Sequence, residues 1–255
     1  MLIDELLSFL FDGKSHLLAA PMATWLAASR RFTAFVIANR TKIRKKLRTE
    51  QDPESLQDLQ LELETAYLLL RERSLSLVYE PGHPERGRSP DYAVTFTTSS
   101  VFMVEVTRLR SARPRVSPAA LEHPQRSESP STAAAIPLLG ERFTDMLCSK
   151  LGQLLPQRSN LLLVGTETAH LTHDDLQAAM LRIHQRAEGN DPTVLKGEGF
   201  RDRADFFDHY KRLSALLVRG IPLQAGGPTV LWFNAQAKHP LPGKVRTALS
   251  RSHTL

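Results

Sequence analysis

Phe32, Val36, Ile43 and Leu47 recur at helical spacing, and Arg40, Arg44 and Arg48 run beside them as a stripe. This pattern predicts an amphipathic helix with one basic edge, and the first 50 residues as a whole read as helical. Asp52-Pro53-Glu54 is a helix-start signal, with Asp52 as N-cap and Pro53 in the first helical position. Leu56, Leu59, Leu63, Ala66, Tyr67 and Leu70 then mark one face through about Glu72. The period changes to short β-type runs at Leu75 to Tyr79, Asp91 to Thr97 and Val101 to Thr107, the first two separated by a Gly/Pro/Arg-rich loop.

Residues 108–140 carry Pro114, Pro118, Pro124, Pro130 and Pro137 among Ser, Ala and Arg, a composition that predicts an insertion without regular structure. Helical spacing returns from Glu141 to Pro156, with Phe143, Leu147, Leu151 and Leu154 on one face. The apolar run from Asn160 to Gly165 suits a strand buried on both faces. Thr172 and Asp175 form a capping-box pattern opening a helix to about Arg186, and a further helix is expected over Arg203 to Lys211. Leu213 to Arg219 and Thr229 to Asn234 read as strands. The expected fold class is α/β with a mixed sheet, organised as a basic helical extension over residues 1–50 and an α/β domain over 51–255 interrupted by the insertion.

Lys plus Arg number 33 against 27 Asp plus Glu, a formal net charge of +6, and no acid occurs between Thr24 and Thr49. A 42% hydrophobic and 24% charged composition is that of a globular chain and excludes disordered, collagenous and mucin-like classes. The single cysteine, Cys148, forbids an intrachain disulfide and a cysteine-based zinc cluster, so a cytoplasmic location is the default expectation, with Cys148 as a small core residue. No apolar run approaches the roughly 18 residues of a membrane span, since Arg30 and Arg31 cut the most apolar N-terminal stretch, and the Met-Leu-Ile-Asp-Glu start lacks the basic character of a signal peptide. No membrane partner is expected.

The informative segment runs from Pro90 to Thr107. Tyr92, Val94 and Phe96 alternate on one face and Phe102, Val104 and Val106 on the other run, which predicts a hairpin pairing 92 with 106, 94 with 104 and 96 with 102 around a loop at 98–100. In that register Asp91 and Glu105 become diagonal neighbours on the opposite face, at roughly 7–8 Å between backbones. Two carboxylates so placed repel unless a cation sits between them, and a hard divalent ion such as Mg²⁺ or Mn²⁺ fits oxygen donors. Beside this stands a simpler reading, in which Asp91 ends a turn after Pro90 and Glu105 faces solvent.

The order of these elements resembles the PD-(D/E)XK nuclease superfamily: a helix with Glu62 and Glu64, a strand, Pro90-Asp91 opening a second strand, Glu105-Val106-Thr107 closing a third, then a helix and an apolar strand. The resemblance covers about residues 54–166 and implies a restriction-endonuclease-like α-β-β-β-α-β core with later strands extending the sheet. It also implies metal-dependent hydrolysis of phosphodiester bonds in nucleic acid, DNA rather than RNA. Asp91 and Glu105 would bind Mg²⁺ or Mn²⁺, and a helical acid, Glu64 by approximate position with Glu62 as competitor, would assist. The sequence departs from the family at Thr107, where the motif lysine belongs. Arg108 is adjacent but alternation points it to the other face, whereas Lys150 and Gln153, three apart on the following helix, match the Lys or Gln that the family's helix carries toward the site.

The basic residues Arg40, Arg44, Lys45 and Arg48, with Arg108 and Arg110 at the start of the insertion and Arg113 and Arg115 beyond them, are the candidates for nucleic-acid contact, with a solvated helix face as their simpler role. His170, His173, Asp174 and Asp175 read as capping chemistry at a strand-to-helix junction, and Gly226-Gly227-Pro228 as a turn. Loss of the strand lysine keeps a second function open: a catalytically inactive nuclease-fold protein that binds nucleic acid or a protein partner. A third is an interaction module using the N-terminal helices, and a homodimer stays open in each case.

Overall fold

A computed structural model of the protein describes residues 3–50, 52–82, 89–110, 132–167, 171–195, 199–221 and 229–253, with the backbone only at 132–139 and 253. The Pro-rich part of the expected insertion with Arg113 and Arg115, together with His170 and the Gly226-Gly227-Pro228 turn, lies outside the described residues.

The fold is α/β. Helices α1 (Ile3–Phe11), α2 (Ala19–Ala28), α3 (Arg30–Thr49) and α4 (Pro53–Arg71) precede strands β1 (Leu75–Tyr79), β2 (Tyr92–Phe96) and β3 (Ser100–Leu109). Helix α5 (Thr132–Leu151), strand β4 (Ser159–Thr166), helices α6 (His173–Glu188), α7 (Pro192–Leu195) and α8 (Arg203–Tyr210), strands β5 (Leu213–Gly220) and β6 (Thr229–Phe233), and helix α9 (Gly243–His253) follow. The six strands form one mixed sheet in the order β1-β2-β3-β4-β5-β6, with β3, β4 and β5 parallel and the remaining neighbours antiparallel.

Strand alternation divides the core in two. Tyr92, Val94, Phe102, Val104, Leu161, Leu163, Ala215 and Leu217 point toward α1–α4 and α9, while Leu162, Val164, Leu216, Val218, Val230 and Trp232 point toward α5–α8. The central parallel strands, buried on both sides, therefore read as continuous apolar runs. The first 50 residues share this core, with Phe32, Phe35, Val36 and Ile43 of α3 packed into it. Asp52 caps α4 by accepting from the Glu54 and Ser55 N–H groups, and Thr172 and Asp175 close the expected capping box at α6.

Strand β1 lies at the edge of the sheet, where unpaired carbonyls invite further pairing. Helix α3 covers two of them, Leu75 O and Tyr79 O, together with the C-terminal carbonyls of α4 at Leu70 and Glu72. Arg31 donates to Leu70 O and Glu72 O, each at 2.7 Å, and to Leu75 O, and Lys42 Nζ donates to Tyr79 O at 3.1 Å. Part of the helix's basic character is thus consumed by capping the strand edge.

Three expectations need correction. The range 108–140 is not one irregular segment: β3 runs on to Leu109 and α5 begins at Thr132. The elements read from the sequence stop at the strand over Thr229 to Asn234, whereas a further helix, α9, follows and its Val245, Ala248 and Leu249 close the core against α4. The hairpin register is the third. Tyr92 pairs with Val104, Val94 with Phe102 and Phe96 with Ser100, two residues away from the expected pairing. The loop keeps three residues but moves to 97–99, where Thr97 takes a left-handed conformation, φ 54°, and its N–H donates to Ser74 O at 2.7 Å.

Candidate active site

The corrected register carries the site. One residue beyond the Tyr92–Val104 pair, Asp91 falls directly opposite Glu105 rather than diagonal to it, a position where backbones stand about 4.5–5.5 Å apart. Because β2 begins at Tyr92 while β3 continues, the Val106 N–H has no strand partner there, and Asp91 Oδ2 accepts its hydrogen bond at 2.7 Å. The Asp91 side chain thereby substitutes for a backbone carbonyl at the end of the ladder. β2 starts at the same end of the sheet at which β3, β4 and β5 finish.

Lys150, in the last turn of α5, places Nζ 2.8 Å from Glu105 Oε1 and 3.2 Å from Gln153 Oε1. Both partners of the Lys150–Glu105 pair are largely buried, with side chains 16% and 12% exposed. Asp91 just before β2, Glu105 on β3, Lys150 in the last turn of α5 and Gln153 in the turn after it therefore form one constellation. Thr107, paired with Val164, sits two residues farther along β3, so the cation beside Glu105 comes from the helix.

Glu64 does not join this group. Its Oε2 accepts from Arg219 Nη2 of β5 at 2.7 Å, and both side chains are buried. Positions two apart on a helix face in nearly opposite directions, so Glu62, the competing acid, is the one whose charge acts on Asp91. The Glu62 backbone carbonyl accepts from the buried Tyr92 hydroxyl at 2.8 Å, and its carboxylate meets Lys46 Nζ at 2.8 Å. A cleft of about 350 Å³ on the Glu64 side is lined by Gln57, Gln60, Leu61, Glu64, Glu167 and Ile221, and includes neither Asp91 nor Glu105.

Burial, followed by the Glu105 and Glu62 carboxylates, pushes the Asp91 carboxyl up to about 8, against the opposing influence of the Val106 N–H and the Lys150 ammonium. The dyad is short of positive charge even with Lys150 in place. Its hydrogen bonds among the described residues engage Oδ2 of Asp91 and Oε1 of Glu105. Two hard carboxylates in this state fit a divalent cation, and such a pair leaves other coordination positions to water and substrate oxygens, as Mg²⁺ prefers. No group of three or more His, Cys, Asp or Glu that could enclose a metal occurs among the described residues.

The expected nucleic-acid contacts fall into two separate places. Arg44 and Arg48 gather on Asp12, in the turn after α1, and Arg40 and Arg44 stack over the Phe9 ring, while Lys45 is exposed. Arg108 turns to the α4 face, where its buried side chain is engaged by Glu54, Gln57 and Asp58, so it does not line an open surface. Arg110 remains exposed and pairs with Asp58 at 2.6 Å.

Two residues near the dyad went unnoticed in the sequence: Glu80, whose N–H donates to Asp91 O at 2.8 Å, and Lys46, which pairs with Glu80. Only the strand register could have revealed Glu80, since extending the β1–β2 pairing by one residue sets it opposite Asp91. Among the described residues no helix is long and apolar enough to cross a membrane. Neither the family models nor the curated proteins nor the solved structures contain a match to this chain.

Proposed function

We propose that the protein is a metal-dependent nuclease of restriction-endonuclease-like architecture that hydrolyses phosphodiester bonds in DNA. The observation that carries this reading is the meeting of Lys150 with Glu105 at 2.8 Å beside Asp91, which puts two acids and a cation together despite threonine at 107. The order α4-β1-β2-β3-α5-β4, with an antiparallel β1-β2-β3 meander and β4 parallel to β3, supports the same architecture.

In this mechanism Asp91 and Glu105 hold Mg²⁺ or Mn²⁺. When bound, the ion lowers the pKa of a water and offsets charge developing on a phosphoryl oxygen. The chain's own residues do the rest. Lys150, fixed by Glu105 and Gln153, orients the attacking water and presents positive charge to the reacting phosphate. Asp91 is held by the Val106 N–H, so its position does not depend on the ion. Glu62 lies behind Asp91 and contributes negative field that strengthens cation binding.

The test is cleavage of end-labelled single- and double-stranded DNA, with RNA as a further arm, in Mn²⁺, Mg²⁺ or EDTA, comparing wild type with identically purified Asp91→Ala and Lys150→Met. Metal-dependent cutting that both substitutions abolish supports the enzyme. Threonine at 107 favours a second reading, a nuclease-fold protein that binds nucleic acid or a partner protein without cutting. Absent cutting with salt-sensitive DNA binding would select it.

A further inference from the structure

Behind the dyad, on the α4 side, α3 inserts one lysine between two acids. Lys46 Nζ lies 2.8 Å from Glu62 Oε1 and 2.8 Å from Glu80 Oε1, and 5.1 Å from the centre of the Tyr79 ring. Both acids are tied to Asp91. Glu80 is its neighbour across β1–β2 and donates its N–H to Asp91 O at 2.8 Å, and Glu62 acts on Asp91 through its charge. Glu80 also holds a left-handed backbone, φ 43°, which non-glycine residues adopt only when their surroundings impose it.

Lys150 thus engages Glu105, while Lys46 lies between Glu62 and Glu80, and the more exposed Lys42 Nζ stands 3.8 Å from the outer oxygen of Glu80. An ammonium with a carboxylate oxygen at hydrogen-bond distance on each side occupies the position that a divalent cation bridging the same acids would need. Burial works against the charge on Lys46, but Glu62 and then Glu80 more than offset it and hold the group above its usual pKa. Lys46 is therefore a fixed cation.

We propose that Lys46 fills the second cation position beside the dyad, so that the chain takes up a single divalent ion at Asp91 and Glu105. This rests on the metal-dependent reading above and specifies its stoichiometry. It also gives the basic helix an internal role at the site.

The experiment is a Mn²⁺ titration of the full chain, read by the electron paramagnetic resonance signal of free Mn²⁺ and by calorimetry. Wild type and Lys46→Arg are expected to bind one equivalent, and Lys46→Met, with Glu62 released and Glu80 left only its longer contact to the exposed Lys42, two. Two equivalents on wild type, or one on Lys46→Met, overturns the proposal while leaving the metal-dependent reading intact. No binding to wild type overturns that reading and this inference with it. Glu105→Gln in the otherwise native chain gives a check that leaves Lys46 untouched. It should abolish Mn²⁺ binding, and a full equivalent retained at Glu62 and Glu80 would sink the proposal.

Discussion

Lys150 Nζ and Glu105 Oε1 stand 2.8 Å apart, joining the last turn of α5 to the middle of β3 across 45 positions of sequence. Position 107 of β3 is threonine, and the ammonium beside Glu105 comes from the helix that packs over the strand. A positioned acid–base or charge-stabilising group contributes about 10²–10⁴-fold to a rate, so under the nuclease reading proposed above Lys150→Met should lower single-turnover cleavage of DNA by that factor. Introducing Thr107→Lys into the Lys150→Met background returns an ammonium to the same face of β3 and should recover part of the loss. Cleavage by Lys150→Met at the wild-type rate would remove Lys150 from the mechanism.

The two-residue difference in hairpin register shows what hydrophobic patterning can and cannot decide. A one-residue slip would have moved Tyr92 and Val94 to the opposite face, and alternation excludes it. A two-residue slip keeps every side chain on its face, so Tyr92 opposite Val104 and Tyr92 opposite Val106 satisfy the same pattern. The choice was made by the turn, through the left-handed Thr97 and its bond to Ser74, which lies in a different part of the sequence. Asp91 and Glu105 were legible as a pair; their direct opposition was not.

The Asp91 carboxyl, at about 8 in the fold because of burial and then Glu105 and Glu62, titrates near 3.9 in an unfolded chain. Between those values the folded protein holds a proton that the unfolded chain has released, so folding takes up a proton. The associated stability is fully present below about pH 4 and is lost as pH rises through about 8. In metal-free buffer the urea midpoint should therefore fall from pH 5 to 8.5, and Asp91→Asn should flatten that slope. Mn²⁺ held at Asp91, as proposed above, would displace the same proton, so its affinity should rise with pH below about 8, by up to about tenfold per unit. A pH-independent Mn²⁺ affinity measured by calorimetry would contradict a protonated Asp91.

Glu64 and Arg219 form a buried pair in which Arg219 Nε and Nη1 have no hydrogen-bond partner among the described residues. Burial lowers the Arg219 pKa and Glu64 opposes that effect. Removing one member of such a pair strands the other charge, at a typical cost of about 3–5 kcal/mol, whereas replacing both by apolar groups is often neutral or stabilising by about 1–4 kcal/mol. Arg219→Met should be strongly destabilised in urea titrations, and Glu64→Leu with Arg219→Met should recover to wild-type stability or above. Because the pair stands apart from Asp91, the double variant should keep wild-type Mn²⁺ affinity; a loss there would return Glu64 to the site.

Charge was the least legible feature. The run of cations from Arg40 to Arg48 reads as a phosphate-binding edge when no partner is visible, yet Asp12 gathers Arg44 and Arg48 from more than 30 positions away, and Glu62 and Glu80 gather Lys46. Such pairs are fixed by how α1, α3 and α4 pack, which composition does not encode. The element order was better encoded, since the apolar run of β4, the capped start of α4 and the capping box of α6 are local signals.

Gly165 of β4 tests how the sheet sets the height of α4 above it. A Cβ at this position would lie 2.6 Å and 3.0 Å from the two terminal carbons of Leu61 and 3.1 Å from Ile221 Cγ2, all closer than ordinary contact. Gly165→Ala must push Leu61 aside or lift α4, and overpacking of this kind costs about 1–3 kcal/mol. Leu61→Ala vacates the same space, at the price of a cavity when introduced alone. The two substitutions together should therefore cost less than their sum, with a coupling of about 0.5–3 kcal/mol for residues in contact. Denaturant titrations of the four proteins in the cycle measure it. Since α4 also carries Glu62, lifting the helix should weaken Mn²⁺ binding in Gly165→Ala, and Leu61→Ala should restore it. Strict additivity in stability would mean that α4 does not rest on Gly165.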